Sequence, residues 1–80
     1  MNEQRKKYDP INIYALYDRT AMKVITIMSY TNDQTAVLNV KKQMEQAGIT
    51  ADEVNLYRLA TVDGYNPLDV MTDTDLIEIM

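Results

Sequence analysis

The chain has 80 residues, a formal net charge of −4, and neither cysteine nor histidine. These totals indicate one small domain and exclude disulfides, and they leave a zinc or haem site without its usual ligands. No run reaches the roughly 20 apolar residues of a membrane span, and no apolar run of a signal peptide follows the basic N-terminus, so we expect a soluble intracellular protein without membrane contact.

The small size of the chain and the distribution of its charge both suggest how it could associate with other molecules. A domain of this size buries only about 60% of the surface that its unfolded chain exposes, so association with another subunit is the remaining means of stabilisation. Charge is also uneven. Residues 1–42 carry seven basic and four acidic residues (+3), and residues 43–80 carry one basic and eight acidic residues (−7). Such a division can serve head-to-tail association or a phosphate-contacting patch, or it can have no function.

Two strands joined by a turn form the predicted centre of the fold. Residues 11–18 and 22–30 are rich in β-favouring side chains, and the polar residues 18–20 between them indicate a turn. Neither strand has a cleanly polar face. We therefore expect a helix on one face and partial cover on the other. The sequence leaves open which face meets the helix, and one expectation places the odd-numbered residues of both strands in the core.

A helix is predicted after the second strand. Thr31 or Asn32 is its N-cap and Gly48 its left-handed exit. Between them, apolar residues recur at helical spacing, which indicates one buried stripe. That stripe comprises Ala36, Val37, Val40, Met44 and Ala47.

The last third of the chain predicts two more strands. Residues 53–62 alternate in the manner of a strand that Arg58 interrupts, and the even-numbered residues are expected to face the core. Asp63 and Gly64 indicate a turn. Residues 76–80 are expected to add a short edge strand.

No catalytic constellation is visible in the sequence. There is no histidine to serve as the base of a nucleophilic triad, and Gly48 and Gly64 are too far apart for a phosphate-binding loop. Asp73 and Asp75 resemble a fragment of a calcium loop that lacks the central glycine and terminal glutamate. We expect a protein that is not an enzyme and has no cofactor.

The tyrosines are the strongest candidates for a binding surface. If the core expectation holds, Tyr14, Tyr30 and Tyr57 share the sheet face away from the helix. Three interpretations stay open, namely stacking of single-stranded bases, a dimer interface, and ordinary packing under the C-terminal segment. The basic residues that a phosphate chain would meet are Arg5, Lys6, Lys7, Arg19 and Lys23.

Three runs also carry a family resemblance. They are IYALYDRTA at residues 13–21, YTNDQTA at 30–36 and DEVNLYRLATVD at 52–63. Together they resemble the small nonstructural proteins of gokushoviruses, single-stranded DNA phages of the Microviridae, although Ala60 and Val62 stand where that family has glycine and phenylalanine. The resemblance implies a protein of the bacterial host cytoplasm that assists viral single-stranded DNA synthesis or packaging. It implies no catalytic residue.

These observations predict an α+β domain of order β-β-α-β-β, with one helix on an antiparallel sheet of three to four strands. Residues 1–10 are expected to form a flexible arm and residues 11–80 the domain. The predicted function is a homodimeric phage accessory protein that contacts single-stranded DNA. The alternative is a protein-interaction module that binds a viral or host protein by sheet-edge addition.

Overall fold

The computed structural model describes residues 9–79, and the predicted α+β class is confirmed. The part of the chain that it describes contains five strands and one α-helix in the order β-β-α-β-β, with a short 3-10 helix before the third strand. The elements are β1 (Ile11–Asp18), β2 (Lys23–Tyr30), α1 (Asp33–Ala47), the 3-10 helix (Ala51–Glu53), β3 (Val54–Val62), β4 (Val70–Met71) and β5 (Asp75–Ile77). Residues 1–8 of the expected arm lie outside the described residues.

The sheet is antiparallel and has the order β2-β1-β3-β4. Strand β5 pairs with β3 beside β4, so the two short strands share one edge of β3. On the opposite side, no strand of the described chain pairs with the outer edge of β2. Within residues 9–79, no helix is long and apolar enough to span a membrane.

The β1–β2 turn is stabilised by the side chain of Asp18. Its Oδ1 accepts hydrogen bonds from the backbone N–H groups of Thr20 (2.9 Å) and Ala21 (3.0 Å). These two bonds form an Asx turn, which favours reversal of the chain between β1 and β2. The turn ends at Met22, whose φ of 57° is the left-handed conformation that side chains other than glycine and asparagine rarely adopt.

The helix begins and ends at two of the predicted positions. Asn32, the second of the two candidates, is the N-cap, and its Oδ1 accepts a hydrogen bond from the backbone N–H of Thr35 at 2.8 Å. Gly48 ends the helix with a φ of 72°. Along the predicted stripe, Ala36, Val40 and Met44 are buried, Val37 is partly buried and Ala47 is exposed.

Two β-bulges decide which side chains face α1. One places an extra residue, Ile25, in β2 opposite the Leu16–Tyr17 step of β1, and the other places Leu59 in β3 opposite Ile13–Tyr14. One extra residue moves every following side chain to the other face of the sheet. A regular alternation read from the sequence therefore assigns the wrong face on one side of each bulge.

The expected core face of β1 and β2 is wrong. The even-numbered Tyr14 and Leu16 of β1 face α1, and Met28 and Tyr30 of β2 pack against the same core. In β3 the even-numbered Val54 and Leu56 do face the core, as predicted. Tyr14 is tolerated in the core because its buried hydroxyl donates a hydrogen bond to Asp33.

The C-terminal segment closes the core. Strand β5 begins one residue before the predicted edge strand and ends at Ile77, where the prediction continued to residue 80. Ile79 follows the strand and is buried against the cluster of buried residues beneath α1. The core members are Tyr14, Leu16, Ala36, Val40, Met44, Val54, Leu56 and Ile79.

Candidate interaction surface

The sheet has one face against α1 and one face over which residues 9–79 place no further layer. We call the first the covered face and the second the open face. The register places thirteen strand residues on the open face, and these residues are Ile11, Ile13, Ala15, Tyr17, Val24, Ile27, Ser29, Asn55, Tyr57, Ala60, Val62, Val70 and Leu76. None of them is charged.

The charged residues of the strands lie instead on the covered side. The five strands contain four of them, and the register pairs each with one of opposite sign, Asp18 with Lys23 and Arg58 with Asp75. A solvated sheet normally shows the reverse, with polar residues on the water side. The open face therefore has the composition of a surface that another molecule covers.

Large apolar side chains on the open face are substantially exposed. Val24 is 54% exposed, Ile27 56% and Leu76 60%, while Ile11 and Val70 are just over two-fifths exposed. Single exposed apolar residues are ordinary on a protein surface, whereas a contiguous patch marks an interaction site. The register puts these residues on one side of the sheet, with Ala15 and Tyr57 between Ile27 and Leu76.

The centre of the open face is shallow. Ala15 lies on β1 between Ile27 of β2 and Tyr57 of β3, and it is only 5% exposed. The larger side chains of Ile27 and Tyr57 extend further from the sheet than the Ala15 methyl group between them. The Tyr57 hydroxyl accepts a hydrogen bond from Asn55 Nδ2 at 2.9 Å, so the polar groups here are partly satisfied by each other.

The predicted three-tyrosine platform is wrong. Tyr14 is fully buried on the covered face, and Tyr30 lies on that same face with its ring centroid 6.1 Å from that of Tyr14. Only Tyr57 of the three lies on the open face, where it is accompanied by Tyr17. A base-stacking surface made of Tyr14, Tyr30 and Tyr57 therefore does not exist in this fold.

A polar network on the covered face links α1 and β5 to the sheet. Asp33, the first residue of α1, accepts hydrogen bonds from the Tyr14 hydroxyl (2.5 Å) and Arg58 Nη1 (2.7 Å). Arg58 Nη2 also donates to Asp75 of β5 at 2.5 Å. The Tyr14 hydroxyl accepts in turn from Asn12 Nδ2 at 3.0 Å. The network therefore ties together elements that are distant in the chain.

The sequence patterns do not predict this network. They indicate Arg58 only as an interruption of its strand, and Asp75 only as part of a calcium-like fragment. The available signal was a lone arginine within an apolar strand, since a half-buried cation requires a carboxylate partner. No cluster of metal-ligating side chains occurs among residues 9–79.

The network also changes the acidity of Tyr14. Burial, followed by the hydrogen bond to the Asp33 carboxylate, raises the pKa of Tyr14 to about 12. A tyrosine with a raised pKa is a poor proton donor and a poorer nucleophile at neutral pH. This arrangement suits a structural hydrogen bond.

The predicted cations do not gather on the open face. Arg19 and Lys23 are exposed at the β1–β2 hairpin end, whereas Arg5, Lys6 and Lys7 lie outside the described residues. Lys23 is opposite Asp18 in the register, and the charge of Arg19 contributes, after hydrogen bonds to Thr50 and the backbone, to a lowered pKa of Asp52. Both described cations thus have a carboxylate close by.

Two clefts border the sheet. The larger, about 400 Å³, lies between β3, β5 and the 3-10 helix, and the smaller, about 230 Å³, lies between β2 and the C-terminal half of α1. No polar or charged residue of the described chain is buried. Neither cleft therefore offers the convergent buried polar groups that orient a small-molecule ligand.

The chain was compared with protein-family models, curated proteins and solved structures, and no match was found in any of them. The resemblance to gokushovirus nonstructural proteins thus stays a prediction that rests on the three sequence runs alone.

Proposed function

We propose that this protein is a non-enzymatic protein-interaction module that binds its partner through the open face of the sheet. The observation that carries the proposal is the placement of charge. Every charged strand residue is on the covered side, and the open face presents exposed Val24, Ile27 and Leu76. Cores of protein interfaces are likewise depleted in charge and rich in large apolar and aromatic side chains.

The same placement argues against nucleic acid on this surface. Binding of single-stranded DNA takes most of its free energy from cations that neutralise phosphates. The open face supplies tyrosine rings at Tyr17 and Tyr57 but no cation. A protein partner gains the full free energy of apolar burial there without such cations.

A pull-down experiment tests this proposal by comparing an open-face variant with a matched control. Ile27→Lys introduces a charge on the open face beside Ala15. Leu38→Lys introduces the same charge on α1, at a residue that is 61% exposed, against 56% for Ile27. Tagged proteins are incubated with lysate that contains an untagged copy, and retained proteins are quantified by mass spectrometry. We expect the wild type and Leu38→Lys to retain one protein in common, which Ile27→Lys loses. Equal retention by all three would contradict the proposal.

A phage accessory role with single-stranded DNA contact is the second candidate. It is supported by the sequence resemblance and by two exposed cations, Arg19 and Lys23, at one hairpin end. Fluorescence anisotropy with a labelled single-stranded oligonucleotide at low salt tests the contact. Binding that is weakened by added salt and by Lys23→Glu would support it, because both remove phosphate attraction. No binding at high micromolar protein would remove it.

A further inference from the structure

We infer that the partner of the open face is a second copy of this chain, packed face to face about a two-fold axis that passes near Ala15. The inference rests on the proposed function and specifies its partner. Four observations support it, namely the one-sided core, the area of the open face, its lack of charge, and its shape.

The first observation is that the core is small and lies mostly on one side of the sheet. Eight of the nine buried apolar residues of the described chain belong to the cluster beneath α1, and Ala15 is the ninth. A single layer of this size leaves a domain marginally stable. A second copy is present wherever the protein is present, so it covers the open face without depending on another gene product.

The second observation is the area available. The five large apolar side chains of the open face that are each 42–60% exposed present on the order of 500 Å² of accessible surface, within the range of the largest patches on monomeric proteins. Two copies packed face to face would together bury about 1,000 Å², the least that a specific interface needs. The area therefore suits a reversible dimer.

The third observation is that charge does not oppose self-association. A two-fold interface places the same surface on both sides, so a patch of one charge sign repels its own copy. The register places no charged residue on the open face, and each charged strand residue of the covered side lies opposite one of the other sign. An acidic or basic partner would find no complementary charge on the open face.

The fourth observation is the shape of the open face. Ala15 forms a low point beside Ile27, which projects from the neighbouring strand and is 56% exposed. About a two-fold axis that lies in the interface between Ala15 and Tyr57, Tyr57 of each copy would lie over the low point of the other, and Ile27 would lie over Leu76. Projections and depressions that are close together on one surface are what a self-complementary contact requires.

Sedimentation velocity of the purified full chain tests the inference, over concentrations from about 1 μM to about 1 mM, the range in which an interface of this size dissociates. We expect a monomer–dimer equilibrium for the wild type. Ile27→Lys, or Leu76→Lys should the first variant fail to fold by circular dichroism, should weaken the dimer by about 100-fold or more, because it buries an unpaired charge. Leu38→Lys should leave the dissociation constant within about threefold, as a surface substitution away from the interface does.

Salt dependence separates this dimer from one held by the uneven charge of the chain. An apolar contact should be unchanged or strengthened by added sodium chloride, whereas a charge-driven head-to-tail contact should weaken. A dimer that dissociates with salt, or one that both open-face variants leave intact, overturns the inference. A wild type that stays monomeric at the highest concentration also overturns it. In that case, loss of a different retained protein by Ile27→Lys would still support the proposed function, and equal retention would remove both.

Discussion

The covered and open faces of the sheet belong to the same strands, and both are largely apolar. They differ in the polar and charged side chains that they carry. On the covered face, Tyr14, Asp33 and Arg58 enclose their polar atoms in a hydrogen-bonded network at the start of α1. On the open face, charge is absent and large aliphatic side chains meet solvent. The difference indicates that the covered face stabilises the domain, and it underlies our proposal that the open face serves association.

The largest change in the free energy of unfolding is expected on the covered face, and a matched substitution on the open face provides the contrast. Leu56→Ala leaves a cavity in the fully buried core and should lower the free energy of unfolding by about 3 kcal/mol. Ile27→Ala on the open face should cost the monomer less than about 1 kcal/mol, because its side chain is already half exposed. Urea unfolding at low protein concentration measures both. Equal losses would contradict the division between the faces.

The second prediction concerns the hydroxyl of Tyr14. Tyr14→Phe removes the hydrogen bonds with Asp33 and Asn12 while it keeps the ring, and it should lower the free energy of unfolding by about 1–2 kcal/mol. Urea unfolding at pH 7 gives this value. No loss would show that the network does not stabilise the fold.

The pH dependence of the free energy of unfolding of wild type and Tyr14→Phe provides a further test of this hydrogen bond. The pKa of Tyr14 is raised from 10.0 to about 12 in the folded protein, so between these values the folded state keeps a proton that the unfolded chain releases. The stabilisation is fully present below pH 10 and is lost as the pH rises towards 12. The advantage of wild type over Tyr14→Phe in the free energy of unfolding should therefore disappear or reverse over this interval. A constant difference would contradict the raised pKa.

The third prediction concerns the ion pairs of Arg58. Arg58→Gln should cost about 1 kcal/mol, since all three partners are partly exposed and water screens them. Arg58→Lys keeps the charge but not the planar fork that reaches both Asp33 and Asp75, so it should recover only part of the loss. A double-mutant cycle with Asp75→Asn isolates one pair, and a coupling energy of zero would show that β5 is held without it.

The smallest change in the free energy of unfolding is expected in the hairpin turn between β1 and β2. Met22 adopts a φ of 57° and its side chain is 74% exposed, so little packing is lost when it is replaced. Met22→Asn should raise the free energy of unfolding by about 0.5 kcal/mol, because asparagine tolerates the left-handed region. Thermal unfolding at matched concentration measures the change. A decrease would mean that the methionine side chain makes a stabilising contact.

The local signals of the fold could be predicted from sequence because their causes are local. Turn chemistry at Asp18, capping at Asn32 and the exit at Gly48 each depend on a few neighbouring residues. The element order follows from these signals together with strand and helix periodicity. This is why the α+β class was predictable.

The assignment of faces depended on features that sequence periodicity does not reveal. The bulges at Ile25 and Leu59 exchange the two faces partway along β2 and β3, so Ala60 and Val62 lie with Tyr57 on the open face rather than with Leu56. The burial of Tyr14 required knowledge that Asp33 would meet its hydroxyl. Both are contacts between distant parts of the chain.

The most direct test of the open face as a self-association surface is an isotope-filtered nuclear Overhauser experiment on a mixture of labelled and unlabelled protein. The experiment detects only contacts between different copies. We predict intermolecular signals from the methyl groups of Val24, Ile27 and Leu76, and none from Leu38 on α1. Intermolecular signals from α1 alone, or none at concentrations where sedimentation shows a dimer, would contradict the account.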